Sequence, residues 1–144
     1  MLLALRLCLV ILGVSAVAIA LSILLLGAAA TAGMAEALFD AATGWRGPST
    51  GAWPAAMDNE LRFYAALWGA YGSLMLWTAR DLPARLAQVP WLAGVFFAGG
   101  VGRLLSRLSV GAPHPFFTLL MAIELLLPAL MLTLWLGVRR RAAA

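Results

Sequence analysis

The sequence predicts an all-α integral membrane protein, a four-helix bundle in a single membrane domain over residues 1–144. Three observations carry that prediction. Hydrophobic residues fill 64% of the chain and charged residues only 11%, whereas an ordinary soluble domain is about 45 to 50% apolar. Mean hydropathy is correspondingly high, at +0.96. Four windows, 7–30, 61–79, 90–109 and 116–137, reach the roughly 20 mostly apolar residues that a membrane helix needs. Finally, the basic residues are distributed unevenly between the connections, as they are in membrane proteins of defined orientation.

The first span, 7–30, follows Arg6. Arg6, the apolar run and Ala30-Thr31-Ala32 also resemble a secretory signal with its cleavage site. The run nevertheless exceeds the 7 to 15 residues of a signal core at roughly 20, so the helix is expected to be retained. The gap that follows, 31–59, is too long for a turn. Leu38 and Phe39 lie among alanines with Glu36 and Asp40 interspersed, which suits an interfacial helix at about 34–42. Gly44, Gly47, Pro48, Ser49, Thr50 and Gly51 make 44–54 irregular. Pro54 then permits a helix to restart, because proline is tolerated in a first turn, and the second helix is expected at 55–79.

Arg80, Asp81, Pro83 and Arg85 punctuate a tight connection before the third helix, 90–109. Gly111, Pro113 and Pro115 break the chain again before the fourth, 116–138. Connections this short make neighbouring helices antiparallel. Arg6, Arg80, Arg85 and Arg139 to Arg141 then fall on one side, while the first gap carries Glu36, Asp40, Asp58 and Glu60 against Arg46 and Arg62. The positive-inside rule puts both termini in the cytoplasm of an inner-membrane protein, with the long loop between helices 1 and 2 outside. Trp45, Trp53, Trp68, Trp77 and Trp91 fall near span ends or along the second helix, as anchoring aromatic residues do.

Several function classes are excluded by composition. The pI of 10.6 and net charge of +4 come entirely from ten arginines, three of them a terminal run. Such a run beside an apolar segment is an orientation signal rather than a nucleic-acid stripe. Cys8 is the only cysteine, so no intramolecular disulfide and no thiolate metal cluster is expected. No cofactor motif is present. Gly99-Gly100-Val101-Gly102 lies inside a span and suits close helix packing, whereas a phosphate loop needs an exposed strand-to-helix turn. Gly94, Ala98, Gly102 and Ser106, and on the second helix Ala65, Gly69 and Ser73, form small-residue stripes expected at helix contacts.

Any function is expected where charge enters the spans, although a buried Arg and carboxylate such as Arg103 and Glu124 can also simply hold two helices in register. Near a helix centre an Arg or Asp costs roughly 2.5 to 3.5 kcal/mol, so such residues face a bundle interior and find a partner. With 1.5 Å of rise per residue, Arg103 lies about 9 Å below the outer end of the third helix and Glu124 about 12 Å below that of the fourth. Glu60, Arg62 and Tyr64 enter the second helix at a similar depth. A polar cluster in the outer leaflet follows, formed by Glu60, Arg62, Tyr64, Arg103 and Glu124, with Asn59, Ser106, Arg107 and His114 at its mouth. Pro128 crowds the carbonyl of Glu124 and offers a kink beside it. Asp58 and Asn59 also suit helix capping, and His114, as the only histidine, is the one candidate for a neutral-pH switch.

Asn59-Glu60-Leu61-Arg62-Phe63-Tyr64, then Gly102-Arg103-Leu104-Leu105-Ser106 with Gly111-Ala112-Pro113, and then Glu124 follow one another in the chain. In this order they resemble the small bacterial four-helix membrane proteins of the domain of unknown function 4345. The resemblance runs from about Ala29 onward, with Val110 standing where that pattern has an acidic residue. It implies a compact four-helix membrane fold and no particular activity. The residues themselves point first to binding of a hydrophobic small molecule, or of another membrane protein, by the polar cluster. An intramembrane enzyme is the alternative, acting on a lipid or isoprenoid with Glu60 or Glu124 as acid or base and Arg103 steadying negative charge. Proton-coupled transport ranks last, because the cytoplasmic halves of the spans carry almost no polar residues.

Overall fold

A computed structural model of the chain describes residues 1–49, 51 and 53–143. Thr50 and Ala52, part of the stretch expected to be irregular, lie outside the described residues. Among the described residues, five α-helices run in the order α1 (Leu2–Leu26), α2 (Ala28–Thr43), α3 (Ala55–Arg80), α4 (Val89–Val110) and α5 (Pro115–Ala143), with a 3-10 turn at Leu86–Gln88 before α4. The described residues include no strand. Proline starts three of these elements: Pro54 precedes α3, Pro90 sits in the first turn of α4, and Pro115 opens α5. In each case its missing N–H falls where a helix leaves donors unpaired anyway.

Three stretches, Leu2–Leu26, Leu86–Val110 and Pro115–Arg141, are long and apolar enough to cross a membrane. At 25 residues, α1 extends about 37 Å, more than the roughly 30 Å hydrocarbon layer. Leu3, Ile11, Leu25 and Leu126 are more than three-fifths exposed, which suits a lipid-facing surface better than an aqueous one. α3 is as long, with 26 residues, but it does not reach the same apolarity. Asp58, Glu60 and Arg62 occupy its first turns, and Tyr71, Ser73 and Thr78 its later ones.

The first helix differs from expectation at both ends. It begins at Leu2 because Leu5 and Leu9 are fully buried on one side and carry the apolar face past Arg6. It stops at Gly27, where φ +91° and ψ 158° define a backbone region that is essentially glycine-only. Beyond that break the chain continues directly as α2. This helix is longer than the interfacial segment expected at 34–42, because the alanine-rich run from Ala28 has strong helix propensity. The Thr31 hydroxyl donates to the Gly27 carbonyl at 2.9 Å and lies 2.9 Å from the Ser22 hydroxyl, fastening the first turn of α2 to the end of α1. Gly44 ends α2 with φ +74°, a left-handed cap.

Two antiparallel pairs, α1 with α3 and α4 with α5, make up most of the packing. α1 and α3 approach through glycine. A methyl group on Gly72 would lie 2.8 Å from both the Ala16 Cβ and the Gly13 carbonyl. Ala65 and Gly69 lie on this contact face as expected, but Gly72 replaces Ser73, which is exposed and donates to the Gly69 carbonyl. The expected stripe on α4 is a clearer correction. Gly94, Ala98, Gly102 and Ser106 are all exposed. The buried face of α4 is instead Val89, Leu92, Ala93, Phe96 and Gly100. Large side chains at Leu92 and Phe96 bury more apolar area than the small stripe does, and so they fix the rotation of the helix.

The apolar core sits toward the chain termini, where Leu5, Leu9, Met75, Leu82, Val89 and Met131 are fully buried. Polar groups there close on neighbouring elements. Tyr71 donates to the Leu92 carbonyl at 2.5 Å, and the Trp135 indole donates to the Leu86 carbonyl at 2.9 Å. At the opposite end, α2 lies across the helix ends as a crossbar, in contact with α1, α3 and α5.

Candidate functional site

At the crossbar end, α4 turns Arg103 and Arg107 toward α5, continuing the face of Phe96 and Gly100 at helical spacing. Gly100 sets the separation: a methyl group there would lie 3.0 Å from both the carbonyl carbon and the Cβ of Glu124. One turn further along, the Arg103 Nε donates to Glu124 Oε2 at 2.7 Å. Glu124 is 6% exposed, whereas the Arg103 side chain is 38% exposed. This guanidinium bridges a buried carboxylate to the open end of the bundle. The next turn of α4 repeats the arrangement with a neutral partner, as Arg107 Nη1 donates to the Thr118 hydroxyl at 2.9 Å. Pro128 stays within a continuous α5 and leaves the Glu124 carbonyl without its usual donor.

His114 closes the short turn between α4 and α5 and caps α5. Its carbonyl accepts from the Phe117 and Thr118 amides, and its Nδ1 accepts from the Phe116 amide at 3.3 Å. With Nδ1 accepting, the ring proton belongs on Nε2. Nε2 lies 3.1 Å from Asp40 Oδ1, out of line for a hydrogen bond but close enough for electrostatic attraction. Phe39 and Trp45 meet the imidazole edge-on, with ring centroids 5.8 and 6.2 Å away. His114, expected at the mouth of the polar cluster, is therefore a buried link between the crossbar and α5.

Two open clefts flank this turn. The larger, about 500 Å³, is lined by Trp45, Pro48, Arg107, His114, Thr118 and the adjoining prolines. The smaller, about 290 Å³, is lined by Trp53, Arg103, Ser106, Pro113, His114, Phe117 and Met121. They share Pro113 and His114, so together they form one depression around the turn.

The structure divides the residues expected in one cluster. Arg103, Glu124 and Ser106 meet at the α4–α5 end, with Arg107 and His114. Arg62 is held elsewhere: its Nε donates to Asp58 Oδ2 at 2.7 Å and its Nη1 to the Leu24 carbonyl at 2.5 Å. Asp58 also accepts from the Ala28 amide at 3.1 Å, tying the α1–α2 break to α3. The Arg62 guanidinium and the Ala28 amide, both stabilising the ionised form, hold the Asp58 carboxyl below the usual carboxylate range. Asn59, Glu60 and Tyr64 are exposed and line neither cleft. Tyr64 is 58% exposed, and its ring lies edge-on to Phe63. Helical phase explains the division, because Arg62 follows Asp58 by four residues and shares the side of α3 turned toward the Gly27 break.

Sequence reasoning missed the part played by α2. Glu36 is 1% exposed, and Asp40 follows it one turn later. Ala28, Ala32 and Glu36 are all buried, at a spacing of four. That spacing is the available signal that both carboxylates turn toward the bundle. Among the described residues, no group of three His, Cys, Asp or Glu side chains is placed to hold a metal ion. Comparison with curated proteins and with solved structures finds no match to the chain. Residues 4–136 match the family described as Domain of unknown function (DUF4345), and the chain belongs to that family.

Proposed function

We propose that the chain is an inner-membrane protein that binds a hydrophobic small molecule at its crossbar end, with both termini in the cytoplasm and α3 crossing the bilayer beside α1 as a fourth span. Contact between α3 and α1 through Gly13, Ala16 and Gly72 supports the fourth span, since a helix packed along a spanning helix shares its depth. The orientation is supported by Arg6, Arg80, Arg85 and Arg139 to Arg141, all at the terminal end of the bundle. Carrying the binding reading is the depression around His114, whose walls are aromatic or apolar at Trp45, Trp53, Phe117 and Met121 and which gathers two guanidiniums and two hydroxyl groups. Apolar walls with a few convergent polar groups are the usual form of a small-molecule site.

Support for the alternative, an enzyme using Glu60 or Glu124 as acid or base, is weaker. Glu60 lines neither cleft, Glu124 is paired with Arg103, and both nitrogens of His114 face partners. Native mass spectrometry of the protein purified in mild detergent tests the proposal. A small molecule bound one to one is expected on the wild type and absent from Met121→Arg, which fills the smaller cleft. Wild-type protein that carries no small molecule, and takes none up from a lipid extract, would overturn the reading.

A further inference from the structure

We infer that the ligand is an anionic amphiphile whose phosphate-class head group sits on Arg107 in the larger cleft, with its apolar chain against Phe117 and Met121. This rests on the binding reading above. The observation behind it is a charge left without an opposite partner. Around the crossbar end, Arg62 faces Asp58 and Arg103 faces Glu124, Asp40 lies against the His114 ring, and Glu36 and Glu60 line neither cleft. Among the described residues, no carboxylate oxygen lies within 4 Å of the Arg107 nitrogens. Its partner is the Thr118 hydroxyl, which is neutral. A guanidinium carries five N–H donors in a planar fork, so several remain available toward the cleft that Arg107 lines.

Donor chemistry favours phosphate. The fork of an arginine matches the paired oxygens of phosphate or carboxylate. Thr118 Oγ1 accepts from Arg107, so its own proton is free to donate into the same cleft. The α5 helix start adds favourable positive potential. Its first amides, however, are taken by the His114 carbonyl and Nδ1, so side chains rather than a bare helix terminus must grip the anion. A neutral ligand would leave the Arg107 charge uncompensated in a partly desolvated cleft. A free inorganic anion would leave the aromatic and thioether surface of the adjoining cleft, at Trp53, Phe117 and Met121, uncovered. One molecule with a charged head and an apolar chain satisfies both clefts through their shared border at Pro113 and His114.

The test uses the full chain in a nonionic detergent with three probes, decyl phosphate, decanol and inorganic phosphate, and reads stoichiometry by native mass spectrometry and affinity by titration. Decyl phosphate is expected to bind one to one. Arg107→Gln should weaken it at least tenfold, while Arg140→Gln, which removes the same charge at the far end, should leave it unchanged. Arg107→Lys keeps the charge without the fork and should lose severalfold; with Thr118→Val it decides the matter if Arg107→Gln fails to fold. Equal affinity for decanol and decyl phosphate would overturn the head-group inference and leave the binding reading standing. Equal affinity for inorganic and decyl phosphate would overturn the amphiphile. If no probe binds, the inference falls, and the reading beneath it falls with it only if the wild-type protein also takes up no small molecule from a lipid extract.

Discussion

Replacing Glu124 with alanine removes the one carboxylate that, among the described residues, lies within 4 Å of the Arg103 guanidinium, and the size of the effect follows from their geometry. The contact is 2.7 Å between Nε and Oε2. Unit charges about 4 Å apart attract by roughly 1 kcal/mol in water and 4 kcal/mol at an effective dielectric of 20. Glu124 is buried but the Arg103 side chain is 38% exposed, so the pair lies between these limits and a coupling of about 2 kcal/mol is expected. Alanine at either position also removes packing, so the single variants overstate the pair. A double-mutant cycle on Arg103→Ala, Glu124→Ala and the double variant isolates the coupling. Equilibrium unfolding in mixed micelles, read by circular dichroism, supplies the four free energies. Glu124→Gln keeps an acceptor oxygen for Nε and should cost about half as much as Glu124→Ala. A coupling below about 0.5 kcal/mol would refute the argument that this contact holds α4 to α5.

Gly27→Ala should destabilise the fold by about 1 to 3 kcal/mol, because φ +91° with ψ 158° disfavours any side chain. The new methyl would also lie 3.1 Å from Arg62 Nη2 and 3.2 Å from Asp58 Oδ1; thermal unfolding monitored at 222 nm, about the usual helix wavelength, measures the loss. Gly72→Val forces α3 away from α1 against the Gly13 carbonyl and should cost about 1 to 3 kcal/mol by overpacking, which the same micelle titration reads. Asp58 gives a pH dependence whose sign is fixed by its lowered carboxyl value. The unfolded chain titrates Asp near about pH 3.9, so the stabilisation is fully present above that value and is lost as pH falls through the lower folded value. Hydrogen exchange at the Ala28 amide should accelerate over that acid range beyond its intrinsic pH trend, and Asp58→Asn should remove the excess.

Some of this arrangement is legible in the chain because rise per residue is fixed. Arg103 and Glu124 fall on one level once 90–109 and 116–138 are read as helices joined by a short turn, and in the structure the two side chains meet. Rotation about each helix axis is not fixed in that way. Depth alone puts Glu60, Arg62 and Tyr64 beside Arg103, but the phase of α3 aims Arg62 at the end of α1 and leaves Tyr64 exposed. The small-residue stripe of α4 fails for the same reason, since Leu92 and Phe96 offer more apolar area and win the inward face. The extent of α2 was obscured by a different physical effect. Ala28 to Ala32 continue the apolar run of α1, and only the backbone at Gly27 separates the two helices.

The crossbar and the α4–α5 pair hold the two walls of the depression by different means. Gly100 lets α4 and α5 approach closely at Glu124 and Leu125, with the Arg103–Glu124 contact added above. α2 is tied by polar groups at both ends: its first amide to Asp58 of α3, and its own Asp40 to His114 beside α5. Its buried face is also narrow, with Ala28, Ala32 and Glu36 at its centre, and alanine removes little apolar area from water. The wall formed by Trp45 and Pro48 follows the end of α2 directly. Its position is thus set by an electrostatic contact at His114 and by edge-on rings at Phe39 and Trp45, whereas the opposite wall is set by helix packing. Local opening free energies follow the apolar area that closes each element, so the amides of α2 are expected to exchange ahead of those of α4 and α5 in hydrogen-exchange measurements, and equal protection of the three helices would refute this division of the two walls.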